Sequence, residues 1–396
     1  ILTGLFGSNH NVIDNKLPFG GATVFNDSAT IATWLSAVGY RTSLVGKYLN
    51  VYNALPLTYI PPGWSDWFGL RDSTAYYNYK VNDNGTILSY GNSPADYATN
   101  VFRNRALQFI DSTPIDKPFF LYFAPSAPHI DQARGVEGLP LVAPEDIGVP
   151  TYASIYRPAN YNEVDVSDKP YWVRNLPLWD QTKQNEVDLL YKARIGSLIA
   201  VDKAIESIVN RLSATGRLDN TIIIFTSDNG YGLGAHRIER KQCVYEECIH
   251  LPLLIRGPGI LPMSDDHLIE NTDLASSILE WAGATTTAKI DGRSFVSLLT
   301  NPALQWRSGI FLEDYSLPRN KYANFQGVRT NDYLYAKYTN GDEELYDLRT
   351  DPYQLTNIVS NQNQQSTVAS LRTTLESYKN VTDISITAST LSAGAV

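Results

Sequence analysis

The chain has 396 residues, of which 43% are hydrophobic and 18% are charged, a composition that can form a large buried core. Its formal net charge of −9 excludes the broad basic surface of a nucleic-acid-binding protein, so an anionic ligand would need a local cluster of cations. No run of about 20 apolar residues occurs, and we therefore expect no membrane-spanning helix.

Apolar periodicity predicts helices that alternate with strands over the first 300 residues. Apolar residues at helical spacing predict helices over 28–38 (with Ser28 as the N-cap), 96–111 and 184–213. Short continuous apolar runs predict buried strands over 42–45, 118–124, 221–226 and 252–256. This alternation is typical of an α/β fold in which helices sandwich a large, mostly parallel or mixed sheet.

The pattern changes after residue 304. Short strands over 310–312, 325–329, 333–338 and 344–348, followed by a helix over 364–378, predict a small antiparallel sheet plus helix. We therefore expect an α/β domain over 1–304, a small C-terminal α+β subdomain over 305–382, and a loose, polar tail over 383–396.

Polar side chains follow three of the predicted strands. Lys47, His129 and the pair Asp228-Asn229 each come just after a strand end. Ligands of open α/β sheets bind beyond the carboxyl ends of the strands, so these residues predict a common site. Asp228 and Asn229 offer hard oxygen ligands suited to Ca²⁺ or Mg²⁺, although an Asx turn before Gly230 would use the same residues.

A basic stretch, 236–241, follows this turn closely and contains His236 and Lys241. It could be a solvated surface, or it could fold over the same strand end. Cations beside a divalent-metal ligand pair suit the hydrolysis of a sulfate or phosphate ester, because they stabilise charge on the transferred group and on the leaving oxygen. No nucleophile motif accompanies them, neither a G-x-S-x-G elbow nor a Cys–His pattern.

The two cysteines, Cys243 and Cys248, are too few for a disulfide framework. If their segment is helical, their Cα atoms lie roughly 8 Å apart and cannot be bridged, whereas a turn would allow pairing. Glycosylation sequons begin at Asn26, Asn84 and Asn380. Together these favour a secreted or lysosomal protein.

Five ordered motifs resemble those of the sulfatase family of the alkaline-phosphatase superfamily. They lie at 1–5 with His10, at 39–42 leading into 46–50, at 127–129, at 226–246, and at 345–357. Residues 61–64 and 76–79 are most similar to N-acetylglucosamine-6-sulfatases and related arylsulfatases. The resemblance extends from Ile1 to about Tyr378.

The resemblance implies a cysteine-derived formylglycine nucleophile, whose hydrate attacks sulfur. The signature C-x-P-S-R would precede Ile1, so the domain over 1–304 would lack its first strand and nucleophile, and these residues alone would hydrolyse little. A formylglycine-generating enzyme would act during maturation. Ca²⁺, with Mg²⁺ as the weaker alternative, would be held by Asp228, Asn229 and two upstream aspartates.

Carried over to this chain, the resemblance makes Lys47, His129 and Lys241 catalytic residues that contact the sulfate. His129 and Lys241 become candidates to protonate the leaving oxygen. Asn50 and His236 become further substrate contacts. Leu49 stands where many relatives have a histidine, which leaves the base that deprotonates the hydrate open.

Three functions remain open from the sequence. The first is a sulfatase acting on a sugar 6-sulfate or an aryl sulfate. The second is a non-catalytic protein that binds sulfated glycans, and the third is a phosphomonoester or phosphonate hydrolase of the same superfamily. A secreted or lysosomal location is expected, or a periplasmic one in a bacterium.

Overall fold

The structure is a computed structural model that describes residues 1–15, 17–71, 74–132, 138–149, 154–315 and 324–379. The sequon at Asn380 and the tail predicted over 383–396 lie outside these residues. The helices are α1 Gly7–His10, α2 Ile31–Ala37, α3 Ala98–Ser112, α4 Tyr171–Arg174, α5 Gln181–Ala214, α6 Glu246–Ile249, α7 Asp273–Ala282 and α8 Gln365–Lys379. In the described part of the chain, no helix combines the length and apolarity needed to cross a membrane.

A five-stranded mixed sheet forms the first layer. Its strands are β1 Arg41–Gly46, β2 Asp66–Leu70, β3 Lys80–Asp83, β4 Thr86–Ser89 and β5 Phe119–Ala124, in the order β4-β3-β2-β1-β5. β1 pairs in parallel with β2 and β5, whereas β3 and β4 form an antiparallel edge. The predicted strands over 42–45 and 118–124 are confirmed, and the mixed α/β sheet is confirmed with them.

The sequence interpretation missed the hairpin at the edge of this sheet. β3 and β4 are joined at Asn84-Gly85, where both residues have positive φ (49° and 91°). An Asn-Gly pair is a strong hairpin signal, because both residues tolerate the left-handed conformation that this turn requires. The hairpin signal therefore overlaps the glycosylation sequon that begins at Asn84.

The last two strands of the α/β region differ from the prediction of a largely parallel sheet. β6 Ile223–Thr226 pairs antiparallel with β7 Leu253–Arg256. A parallel pair needs a crossover connection, usually a long helix, but the described residues between β6 and β7 contain only the short α6. The chain therefore returns beside β6 in the opposite direction.

The predicted helices are confirmed with small shifts of their ends. α2 begins after Thr30, whose backbone N–H donates to Thr33 Oγ1 at 3.0 Å. Ser28, the predicted N-cap, instead bonds to the Asn26 side chain. Val38 is the C-cap of α2 and is exposed, so the apolar face of this helix is shorter than expected.

The C-terminal prediction is confirmed. β8 Gly309–Asp314, β9 Phe325–Thr330, β10 Tyr333–Tyr338 and β11 Glu343–Asp347 form an antiparallel sheet, and α8 packs on it through Val368, Leu371 and Leu375. The division of the chain at residues 304 and 305 stays a prediction. A buried cluster joins Ile238, Val244 and Tyr245 to this sheet, so the two parts share a core.

A buried carboxylate lies at the centre of this shared core. Glu344 accepts hydrogen bonds from the hydroxyls of Tyr245 (2.7 Å), Tyr338 (3.0 Å) and Tyr346 (3.1 Å). Tyr245 belongs to the segment that follows β6, whereas the other three residues lie on β10 and β11. Three donors satisfy the carboxyl oxygens and connect the small sheet to that segment.

Cys243 and Cys248 form a disulfide, with their Cα atoms 5.8 Å apart. The sequence left pairing open, on the condition that the segment turns. It does turn, because α6 begins only at Glu246 and the residues before it are not helical. The disulfide and Tyr245 therefore constrain the same short segment.

Replacement of Glu344 by Gln should weaken the pH dependence of stability. Burial raises the pKa of Glu344 to about 7, so the folded protein favours the protonated carboxyl. The protonated carboxyl therefore stabilises the fold fully below pH 4.5, and this stabilisation is lost as the pH rises towards 7. Gln keeps the shape without the charge, and should remove roughly 3 kcal/mol of this decline. Urea denaturation at pH 4.5 and pH 8 measures it.

The exposed Glu280 provides the control, because Glu280→Gln should leave the decline as it is in the parent. Burial also raises the pKa of Glu270 to about 7, so Glu270 adds the same amount to the decline in stability in every variant. An unchanged decline in Glu344→Gln would mean that this carboxyl does not titrate in the window.

Candidate active site

The ends of β1 and β5 bring the first two site residues together. Gly46 lies opposite Ala124 with a φ of 117°, and a Cβ at Gly46 would lie 2.1 Å from the carbonyl oxygen of Ala124. Only glycine allows this close approach. The next residue, Lys47, donates its backbone N–H to the same oxygen at 2.8 Å, so its side chain starts beside the turn that carries His129.

Lys47 is half-buried among charged groups. Its Nζ lies 3.4 Å from Thr74 Oγ1. Burial lowers the pKa of Lys47, the charge of Lys241 lowers it further, and the carboxylate of Asp228 partly offsets both. The two lysines and Asp228 therefore share one neighbourhood, as the sequence predicted.

Lys241 reaches this neighbourhood because the chain after β6 folds back on itself. The N–H of Gly230 donates to the Cys248 carbonyl (2.9 Å), and that of Gly232 donates to the Arg240 carbonyl (2.9 Å). The Nζ of Lys241 then donates to Asn229 Oδ1 at 2.9 Å. The basic stretch thus covers the strand end, and Lys241 is not on a solvated face.

His129 is fixed from two sides. The hydroxyl of Tyr76 donates to its carbonyl oxygen (2.7 Å), and its Nδ1 donates to the carbonyl oxygen of Ile130 (2.8 Å). Burial lowers the pKa of His129, and the charges of Lys47 and Lys241 lower it further. The ring is therefore neutral at pH 7, with its proton on Nδ1 and a lone pair on Nε2.

Asp228 and Asn229 suit a hard divalent cation. Within the described residues, the carboxylate of Asp228 accepts no hydrogen bond. It lies near Tyr122 on β5, where burial is the larger cause and the charge of Asp228 the smaller cause that raise the pKa of the phenol to about 12. Asn229 Oδ1 is adjacent but is shared with Lys241. Two hard oxygens fit Ca²⁺ or Mg²⁺, which take six or more ligands, so other groups must complete the shell.

The structure does not bring His236 and Asn50 into contact with these residues. His236 is fully buried, its Nδ1 lies 2.6 Å from Glu163 Oε2, and its Nε2 lies 3.2 Å from Asn160 Nδ2. The backbone carbonyl of Asn50 accepts from Ala22. Their predicted substrate contacts remain predictions, and the contacts of His236 are those of a structural residue.

Two residues that the sequence interpretation did not select also border the site. The Arg194 guanidinium lies 3.8 Å from the ring centroid of Tyr231, and its charge also lowers the pKa of His129. A signal existed in the sequence, because Arg194 lies at helical spacing between Leu190 and Ser197, both of which are buried. An arginine in the apolar stripe of a helix is unusual.

Comparison with known sequences gives a consistent result. Residues 1–284 match a family model described as Sulfatase, and residues 234–381 match one described as N-sulphoglucosamine sulphohydrolase, C-terminal. The N-acetylglucosamine-6-sulfatase of Homo sapiens is 32% identical over 406 residues, covering 90% of this chain and 71% of that protein. An extracellular sulfatase SULF-1 homolog of Drosophila melanogaster is 35% identical over 315 residues, covering 76% of this chain and 27% of that protein.

A solved structure agrees in fold. It is described as a complex with its substrate D-glucosamine-2-N,6-O-disulfate, and it superimposes with a TM-score of 0.81 at 24% identity. The superposition covers 96% of this chain and 86% of that one. At this level of identity the likeness concerns the arrangement of helices and strands.

Replacement of Lys241 by Met should raise the pKa of His129 towards its ordinary value. One of the two lysine charges disappears, but burial, the larger cause of the lowered pKa, remains. An NMR titration of the histidine ring, with a chelator present, measures the change. Lys192→Met, at an exposed position on α5, is the control and should leave the pKa of His129 unchanged. An unchanged His129 pKa in Lys241→Met would mean that Lys241 does not lie close to His129.

Proposed function

We propose that this chain, which belongs to the sulfatase family and is a sulfuric ester hydrolase, acts on the 6-sulfate of an amino sugar. The observation that carries the proposal is the convergence of Lys47, His129 and Lys241 beside Asp228-Asn229. The name of the human relative supports the position of the sulfate. An aryl sulfate is the simpler substrate that the same cluster would accept.

Lys47 and Lys241 bind the sulfate oxygens in this proposal. A sulfate ester offers only acceptors, and each ammonium group offers three donors. Negative charge shifts towards the leaving oxygen as the S–O bond breaks, so cations that are already in place stabilise the transition state more than the ground state. The pKa of Lys47 is lowered in the free protein, and a bound anion would raise it and favour the charged ammonium group.

His129 supplies the proton for the departing alcohol. The ring is neutral in the free protein, and its Nε2 holds a lone pair. A bound sulfate adds a negative charge next to it, which raises the pKa of His129 and favours the protonated ring. That ring can then transfer a proton to the leaving oxygen. Lys241 is the second candidate for this step.

A divalent cation, Ca²⁺ or with less support Mg²⁺, would be held by the carboxylate of Asp228 and the amide oxygen of Asn229. It would supply positive charge beside the reacting group. The carboxylate is suited to this role because, in the described part of the chain, no hydrogen bond or ion pair occupies its oxygens.

We further propose that the attacking oxygen belongs to a formylglycine hydrate formed from a cysteine outside these 396 residues. Cys243 and Cys248 are the only cysteines of the chain, and the disulfide leaves neither as a free thiol for a formylglycine-generating enzyme. Leu49 packs among apolar side chains and cannot act as a base.

A secreted or lysosomal location, or the periplasm in a bacterium, suits this proposal. Disulfides persist in oxidising compartments, and the relative from Drosophila melanogaster is named as extracellular. Asn26 is exposed and, among the described residues, its side chain bonds only to Ser28, so it is the better glycosylation site. The amide nitrogen of Asn84 donates to Asp66 and Asp83.

The full-length protein, co-expressed with a formylglycine-generating enzyme, should hydrolyse N-acetylglucosamine 6-sulfate and 4-nitrophenyl sulfate faster than 4-nitrophenyl phosphate. Lys47→Ala should reduce kcat by about 10²–10³-fold, because a charge that stabilises the transition state is lost. Lys192→Ala is the control at an exposed position. Faster turnover of the phosphate would indicate a phosphohydrolase, and binding without turnover would indicate a glycan-binding protein.

Removal of Asp228 should abolish stabilisation by the metal. Ca²⁺ at 100 times its Kd should stabilise the parent by about 2.7 kcal/mol and raise its Tm, while Asp228→Ala should show no such rise. Asp219→Ala, at a fully exposed position, should respond as the parent does. An equal rise in Asp228→Ala would show that Ca²⁺ binds elsewhere.

A further inference from the structure

The inner face of α5 carries a positive charge. Val187, Leu190, Ser197 and Val201 are buried and recur at intervals of three, four and seven residues. Arg194 follows Leu190 by four residues and precedes Ser197 by three, so it occupies the position in this stripe that an apolar residue would normally fill. A charge at such a position is costly unless a partner neutralises it.

Arg194 has no acidic partner among the described residues. Its guanidinium packs 3.8 Å from the ring centroid of Tyr231 and hydrogen-bonds with that side chain, while its Nε is fully buried without an acceptor. An aromatic face attracts a cation but does not neutralise its charge. The part-buried Arg307 and Arg329 differ, since each forms ion pairs with carboxylates at 2.7–3.0 Å.

The position of Arg194 connects it to both turns of the site. Its charge acts on His129 and on Tyr76, whose hydroxyl holds the His129 carbonyl. Its partner Tyr231 comes two residues after Asn229 in the chain. Arg194 therefore lies beside the group that Lys47 and Lys241 form, on the side of α5.

We propose that Arg194 binds a second anionic group of the substrate, distinct from the sulfate ester that reacts. This inference rests on the proposed function and makes it more specific, because the preferred substrates become sugars with at least two negative charges. A single sulfate ester brings one negative charge, for which Lys47 and Lys241 already supply two positive ones. The planar guanidinium adds paired N–H donors that match a second sulfate or a carboxylate.

A group of tyrosines lies beside this part of α5. Tyr191 lies three residues before Arg194 on the same face of α5. Tyr156 and Tyr353 are 46% and 41% exposed, and burial, followed by the nearby Glu247, Tyr353 and Tyr191, raises the pKa of Tyr156. Aromatic rings with a polar tip and an apolar body suit the faces of sugars, so the second charge would be carried on a sugar.

The test compares two sugars that differ by one charge: glucosamine 6-sulfate with an N-acetyl group and with an N-sulfo group. Arg194→Gln in the full-length protein should lower kcat/KM for the N-sulfo sugar at least tenfold. Any change that comes from the loss of the Arg194 charge beside His129 should be common to the N-acetyl sugar and 4-nitrophenyl sulfate, so the ratio of kcat/KM between the N-sulfo and N-acetyl sugars should fall at least tenfold. Arg211→Gln is the matched control, because Arg211 lies on the same helix in an exposed pair with Asp111.

Other patterns would overturn the inference. An equal loss on all three substrates would mean that Arg194 acts on the reacting sulfate or positions His129, and no loss would mean that it binds no substrate. Arg194→Lys keeps the charge but not the planar fork, and should show a smaller loss on the N-sulfo sugar alone. It serves as the test if Arg194→Gln proves unstable in thermal denaturation.

Binding separates this inference from the proposed function. Calorimetric titration with the two sugars, on protein that lacks a mature nucleophile, should show tighter binding of the N-sulfo sugar in the parent and equal binding in Arg194→Gln. If this holds while the mature protein hydrolyses neither sugar, the proposed reaction is wrong and the subsite stands. If the mature protein hydrolyses both sugars with no preference, the subsite alone is wrong.

Discussion

Burial of neighbouring basic side chains is the constraint on which the candidate site depends. Burial lowers the pKa of Lys47 and of His129, and the charge of Lys241 lowers both further. A buried positive charge is costly without a counter-charge, so a bound anion would stabilise these side chains where the fold holds them. Gly46 makes the arrangement possible, because no other residue allows β1 and β5 to approach so closely before Lys47.

Contacts with the rest of the molecule hold the segment that carries Lys241. The segment that carries it is tied to the small sheet by Tyr245 on Glu344, and by Arg329, which bonds both oxygens of Glu246. The disulfide closes the same segment. Each contact is local, yet together they hold this segment, and with it Lys241, beside the end of β6. The C-terminal sheet therefore has a direct role in positioning the site.

Sequence patterns predicted the elements that depend on local chemistry. Apolar runs located β1 and β5, and helical spacing located α3 and α5 to within a few residues. Pairing direction was less accessible, because the antiparallel return of β7 depends on how the chain between the strands folds. The short strands β2 to β4 were also less accessible, because buried polar side chains such as Asp66 on β2 and Asn82 on β3 interrupt the apolar pattern and bond to residues distant in the chain.

By itself, the sequence determined the α/β class and the membership of a family of ester hydrolases, and it predicted that Lys47, His129, Lys241 and Asp228 lie together beyond strand ends. Those conclusions follow from strand ends and motif order, which are local in the chain. Only the tertiary structure decided the partners of buried polar side chains. It placed His236 against a carboxylate and Arg194 against an aromatic ring, because these partners are distant in sequence and adjacent in space.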